Sequence, residues 1–217
     1  MSGRCPEITQ TTSISDAIKI TEEQGAALMR EHFDFSRLGS LAALYGIDLR
    51  PGVYTADSDA ESPVVEKVIE AHPVLREIQE NLEKQGHPKL NMVGLMQFTL
   101  GFTLPPHADD RFVVEGVSLL IPRSHSGDFA LHGDDWFEVT DWESTGGRRT
   151  RRTLQKDSGQ GPFMERRSNY HKGDVLFLRQ DIPYLGLKAK LHSAASCRRE
   201  GDRAEKREVL TFDHVIK

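Results

Sequence analysis

Cysteine is nearly missing from this 217-residue chain, which carries only Cys5 and Cys197. Two distant thiols make no disulfide framework and lack the paired spacing of a zinc site, so disulfide-rich and zinc-ribbon classes are excluded. No apolar run is long enough to span a bilayer, which argues against a membrane-embedded helix. A basic excess is absent too: 28 Lys and Arg stand against 33 Asp and Glu, a formal net charge of -5. Phosphate-tracking surfaces need the opposite balance, so nucleic acid is disfavoured as a partner and a small molecule favoured. The segment from Met1 to Ser15 has no apolar core of the kind a secretory signal needs, so a cytoplasmic location is expected.

What is present fits a globular chain, with 37% hydrophobic and 28% charged residues. The length suits one all-β domain, and residues 1–217 read as a single unit with a mostly helical region over 1–91 and a strand-rich core over 92–217. Thr21-Glu22-Glu23-Gln24 has capping-box spacing, and Ala26, Ala27, Leu28 and Phe33 follow as an apolar face, which predicts a helix over Glu22 to Phe33. Ser62-Pro63 opens a second helical region, bent where Pro73 follows His72, ended by Gly86, and striped by Val74, Ile78 and Leu82. From Met92 onward short apolar stretches predict strands at Met92 to Leu100, Phe112 to Ile121, Phe129 to His132, Trp136 to Val139, Asp174 to Leu178 and Glu208 to Val215. Helices first and many short strands after imply a mainly β fold with N-terminal helices, a jelly roll (double-stranded β-helix) backed by helices. Residues 141–169, with Arg148, Arg149, Arg151 and Arg152, read as a long mobile hairpin loop. Its first reading is a solvated surface, its second a lid over an anionic substrate.

The chemistry concentrates at His107-x-Asp109, which follows one predicted strand and precedes the next. Alternation puts both side chains on one face of an extended segment. One imidazole and one carboxylate so placed, joined by a distant second histidine, form the facial triad of non-haem Fe(II) oxygenases, in which three protein donors on one side leave the other positions open. The spacing alone is common here, because His32-Phe33-Asp34 and His132-Gly133-Asp134 repeat it. His32 falls in the predicted helix, where residues two apart point away from each other. His132 is the competitor. For the second histidine the candidates are His192 and, as a fallback, His171; His72, His87 and His125 have loop or helical surroundings. Trp136, Trp142 and Phe129 line a pocket or simply fill core.

Over Met92 to Val215 the sequence resembles the 2-oxoglutarate/Fe(II)-dependent dioxygenase superfamily. Met96-Gln97-Phe98-Thr99-Leu100-Gly101-Phe102-Thr103-Leu104-Pro105-Pro106-His107-Ala108-Asp109 is similar to that family's N-x-Y-x-x-G-x5-H-x-D run, with Met96 in place of its asparagine and Phe98 in place of its tyrosine. Ser126-Gly127-Asp128-Phe129-Ala130-Leu131 resembles its G-G-x-L strand, and Lys172-Gly173-Asp174-Val175-Leu176-Phe177 its turn and strand before the distal histidine. The resemblance implies His107, Asp109 and His192 as metal and catalytic residues. It also implies Arg207 as the cation for the far carboxylate of 2-oxoglutarate, ahead of Arg198, Arg199 and Arg203. The hydroxyl residue that the family has two places after its arginine is Val209 here, which leaves Thr211 as a second cosubstrate contact. Fe(II), 2-oxoglutarate and O2 are the implied cofactors.

A planar guanidinium suits that place, since it meets a carboxylate with two parallel charge-assisted hydrogen bonds. The function so implied is a dioxygenase that couples decarboxylation of 2-oxoglutarate to oxidation, commonly hydroxylation, of a C–H bond in a small molecule such as an amino acid or biosynthetic intermediate. The alternatives are an oxygenase acting on a peptidyl or nucleic-acid substrate and a non-catalytic jelly-roll binding module.

Overall fold

In the computed structural model Gly25 splits the first expected helix. It adopts φ 93°, a left-handed conformation that suits glycine, and its N–H closes on Thr21 O. The helix runs from Ile14 to Gln24, earlier than the capping-box spacing predicted. Ser13 is its N-cap, accepting from Asp16 N–H, while the Thr21 hydroxyl bonds back to Ala17 O within the helix. Beyond the glycine, Ala26–Met29 is a strand buried on both faces. A run of four apolar residues has no period that separates strand from helix, which is why the sequence misleads here.

The structure describes residues 5–30, 33–57, 63–99, 101, 103–109, 114–124, 127–133, 142–144, 147–149, 164–196 and 206–216. Its elements in order are β1 (Gln10–Thr11), α1 (Ile14–Gln24), β2 (Ala26–Met29), α2 (Phe35–Tyr45), β3 (Tyr54–Ala56), α3 (Val64–Ala71), α4 (Pro73–Lys84), β4 (Met92–Thr99), β5 (Thr103–His107), β6 (Val114–Pro122), β7 (Gly127–His132), β8 (Trp142–Ser144), β9 (Gly147–Arg149), β10 (Met164–Tyr170), β11 (Val175–Arg179), β12 (His192–Ser196) and β13 (Lys206–Val215). The expected bend at His72-Pro73 is a break between α3 and α4, where buried His72 caps α4 by accepting from Leu75 N–H. The predicted loop over 141–169 is in part ordered strand: β8 pairs with β9, and β10 pairs with β7. In β10 Ser168 and Tyr170 turn inward while Arg167 and Asn169 face out, an edge-strand alternation that its polar composition concealed. The predicted strand at Trp136 to Val139 and the rest of that loop lie outside the described residues, as do His32, Phe112, His125, Asp134, Arg198, Arg199 and Arg203.

Two sheets face each other. The larger has the order β1-β2-β11-β6-β13-β4-β3 and the smaller β10-β7-β12-β5. The helices cover the outer face of the larger sheet, where Val175, Phe177, Leu210 and Phe212 join Leu75, Ile78 and Leu82 in one core. The intervening residues Leu176, Leu178 and Val209 point the other way and meet Phe129 and Leu131 of the smaller sheet. Central strands with apolar residues on both faces are what a jelly roll backed by helices requires, and they explain the unbroken apolar runs. Each such side chain, when fully buried, contributes roughly 1.5–3 kcal/mol relative to exposure. Among the described residues no helix is long and apolar enough to cross a membrane.

Strand direction sets the two ends of the space between the sheets. β4 leaves at Thr99 and β5 returns from Thr103, so Met92 and His107 share one end and Phe98 and Thr103 the other. β13 follows β4 in register, with Asp213 opposite Met92 and Arg207 opposite Phe98.

Candidate metal centre and its pocket

Three side chains from two strands and a loop meet at the Met92 end. His107 closes β5, Asp109 follows in the loop, and His192 opens β12 directly opposite His107 in the antiparallel register. One donor atom from each lies within 4.8 Å of the others. Nε2 of His107 and Nε2 of His192 are each 3.7 Å from Asp109 Oδ1, and the two imidazole centroids are 4.4 Å apart. Donors about 2.1 Å from a common ion at right angles stand roughly 3 Å apart, so small side-chain movements would close this set on one cation.

The surroundings fix the donors. His192 Nδ1 faces the Lys190 carbonyl at 3.1 Å, a backbone partner that places the proton on Nδ1 and leaves Nε2 as the lone-pair donor. The Phe129 ring stacks on the His192 imidazole at 5.4 Å, restricting its rotation. Gln180 Nε2 donates to Asp109 Oδ2 at 2.9 Å, leaving Oδ1 toward the imidazoles. Burial pushes the Asp109 carboxyl up, but His192, His107 and the Gln180 amide more than offset this and hold it below the ordinary carboxylate range.

Other candidates do not join the cluster. His132 Nε2 bonds the Ser193 hydroxyl at 2.8 Å, and Asp134 is outside the described residues. His171 lies exposed in the turn before β11. His87 is held between Glu22 at 2.8 Å and Tyr184 at 2.9 Å, far from the donors.

The donors open onto a cavity of about 90 Å³ that runs between the sheets toward Phe98, Leu104 and Tyr170. At that far end Arg207 is 1% exposed, with its guanidinium 4.4 Å over the Tyr170 ring. Thr211 lies on the same strand face four residues along, about 13 Å away by strand rise and at the metal end. Trp136 and the side chain of Trp142 lie outside the described residues. Sequence reasoning missed Gln180, Tyr170, Tyr54 and Asp213, since no local motif marks them and each reaches the pocket only through sheet register.

Tyr54 reaches the pocket because Gly94 has no side chain. A Cβ there would fall 2.2 Å from Tyr54 Cδ1. Gly94→Ala is therefore expected to displace the ring and to destabilise the fold by about 1–3 kcal/mol. Thermal denaturation reads this as a Tm lowered by roughly 2–4 °C per kcal/mol for a chain of this size.

No protein-family model and no curated protein matches the sequence. Among solved structures the chain is similar to a 2OG-Fe(II) oxygenase family oxidoreductase from Burkholderia pseudomallei, at 14% identity over 95% of this chain and 94% of that one, with a TM-score of 0.52. It is similar also to a Pseudomonas putida prolyl-4-hydroxylase (14% identity, all of both chains, TM-score 0.46) and to vicilin from hazelnut, Corylus avellana (12% identity, 63% of this chain and 27% of that one, TM-score 0.32). The last two superpose too loosely to add to the first. The chain thus has the helix-backed jelly-roll fold of a 2OG-Fe(II) oxygenase family oxidoreductase.

Proposed function

We propose that the protein is a cytoplasmic Fe(II)- and 2-oxoglutarate-dependent oxygenase that oxidises, most simply by hydroxylation, a C–H bond of a small molecule. The observation that carries this reading is the convergence of two imidazole nitrogens and one carboxylate oxygen within 4.8 Å at the mouth of a cavity between two sheets. The donor set suits Fe(II), since two nitrogens and one oxygen on one side leave the opposite side open. Arg207 supports the cosubstrate assignment, being a buried cation held against Tyr170, the residue that lines the far end of a cavity whose mouth carries the metal donors.

In this reading His107, Asp109 and His192 hold the metal, and Arg207 orients the 5-carboxylate of 2-oxoglutarate with two parallel hydrogen bonds. Thr211 contacts the bound small molecules along the wall. Held by His107, Asp109 and His192, an iron ion would supply the reductive activation of O2 that couples conversion of 2-oxoglutarate to succinate and carbon dioxide with oxidation of the substrate. The chain itself positions the partners and excludes water: Leu104, Phe98 and Val209 line the cavity with apolar surface. Residues 1–217 act as one domain, with the helices over 1–91 supporting the larger sheet.

The test is an anaerobic titration of the purified protein with Fe(II) and then 2-oxoglutarate. A metal-to-ligand charge-transfer band in the visible range is expected at one equivalent of each. Absence of the band in protein that holds no iron would overturn the reading and favour a binding module.

A further inference from the structure

The strand that carries Arg207 ends in an acidic residue on the same face. Val209, Thr211 and Asp213 line the cavity while Leu210 and Phe212 pack under the helices, so Asp213 points inward at the metal end. It is 8% exposed. Among the described residues no lysine or arginine lines this cavity. The Asp213 carboxyl is pushed up to about 7, burial raising it most and the negative charge of Asp109 adding to this, while the nearby Ser118 and Thr211 hydroxyls draw it part of the way down. The Ser118 and Thr211 hydroxyl oxygens are buried and have no hydrogen-bond partner of standard geometry among the described residues. Across the sheet Tyr54, Gly94 and Thr211 stand in one register row, with the Tyr54 ring lying over Gly94.

We propose that Asp213, Thr211 and Tyr54 form the substrate-recognition subsite of this pocket and that it binds the ammonium group of a small primary amine. The inference rests on the oxygenase reading for its use in catalysis, but not for the binding itself. An alkylammonium has three N–H donors, and the two carboxylate oxygens of Asp213 with the hydroxyl of Thr211 offer three oxygen acceptors along the cavity wall. The Tyr54 face adds attraction for a cation. A buried carboxylate facing an apolar cavity needs a counter-charge, and removing one partner of such a pair costs far more than replacing a neutral contact. A cationic ligand supplies that charge and a neutral one of the same shape does not, which makes this position discriminate. The apolar walls at Met92 and Val114 then take the carbon chain beside the metal donors.

The experiment compares n-butylammonium with 1-butanol, its neutral isostere, by NMR titration of the full chain, first metal-free and then loaded anaerobically with Fe(II) and 2-oxoglutarate. The wild type is expected to bind the ammonium at least about tenfold more tightly, equivalent to ~1.4 kcal/mol. Asp213→Asn is expected to abolish the preference while leaving alcohol binding and the charge-transfer band in place. Thr211→Val, expected to weaken ammonium binding several-fold more than alcohol binding, decides the matter where Asp213→Asn fails to fold. Equal affinity for the two probes, no ammonium binding by the wild type, or a preference that survives in the folded variants would overturn the proposal. Loss of the band alone would overturn the oxygenase reading and leave amine binding to stand or fall on its own data.

Discussion

Asp109→Ala is expected to lower iron-dependent succinate formation at least about 1,000-fold, a change of ~4 kcal/mol. Its carboxylate is the one anionic donor of the three, standing 3.7 Å from both imidazoles. Without it two neutral nitrogens are left, a poor site for a hard dication that also has to hold a dianionic cosubstrate. The side chain is 37% exposed and sits in the loop after β5, so its loss removes little packing, and the metal-free variant is expected to melt near the wild type. Stability in the presence of iron separates the two proteins more clearly. A ligand at 100 times its dissociation constant stabilises the native state by about 2.7 kcal/mol, so Fe(II) is expected to raise the wild-type Tm, chelation to reverse the rise, and the variant to show neither. His132→Ala is the control. Its imidazole bonds Ser193, and activity is expected to persist. A charge-transfer band at full strength in Asp109→Ala, lost instead in His132→Ala, would move the metal to the second H-x-D pair.

The legible parts of this site are those that sequence distance keeps together. His107 and Asp109 are two residues apart, so the strand's own alternation announces them, and His192 follows from the order of turn and strand before it. Gln180 and Asp213 carry no such mark. Gln180 directly follows β11, with six strands between it and Asp109 in chain order, and only the stacking of the two sheets brings its amide to 2.9 Å. Asp213 lies inside the strand predicted over Glu208 to Val215 with nothing to mark it, and only the register of β13 shows it turned inward with Thr211 and Val209. The fold shows the same division. The central strands after Met92 were visible as apolar runs, and the helix-to-strand switch at Gly25 was not, because a chain buried on both faces loses the period that distinguishes the two. Position 98 is a further case. Phe98 removes the phenol that the resembled motif carries, and Tyr170, on a strand hidden in a polar segment, brings a tyrosine to the same end of the cavity.

Arg207→Met is expected to raise the KM for 2-oxoglutarate about 30- to 1,000-fold, the range that truncating one partner of a buried charge pair produces at 2–4 kcal/mol. Arg207 has 1% exposure and its guanidinium carbon stands 4.4 Å from the Tyr170 ring centroid, so the group is held in place before any ligand arrives. That preorganisation fixes the cosubstrate's direction as well as its affinity. Methionine keeps most of the volume and removes the charge, and replacing a buried cation by an apolar side chain of similar size is often neutral or stabilising. The variant is therefore expected to fold, and the loss to fall on cosubstrate binding. Saturating 2-oxoglutarate should restore most of kcat, whereas Arg207→Lys, a point charge without the planar fork, should recover only part of the affinity. The measurement is succinate formation against 2-oxoglutarate concentration in the three proteins. An unchanged KM in folded Arg207→Met would remove Arg207 from the binding site and leave it a packing partner of Tyr170.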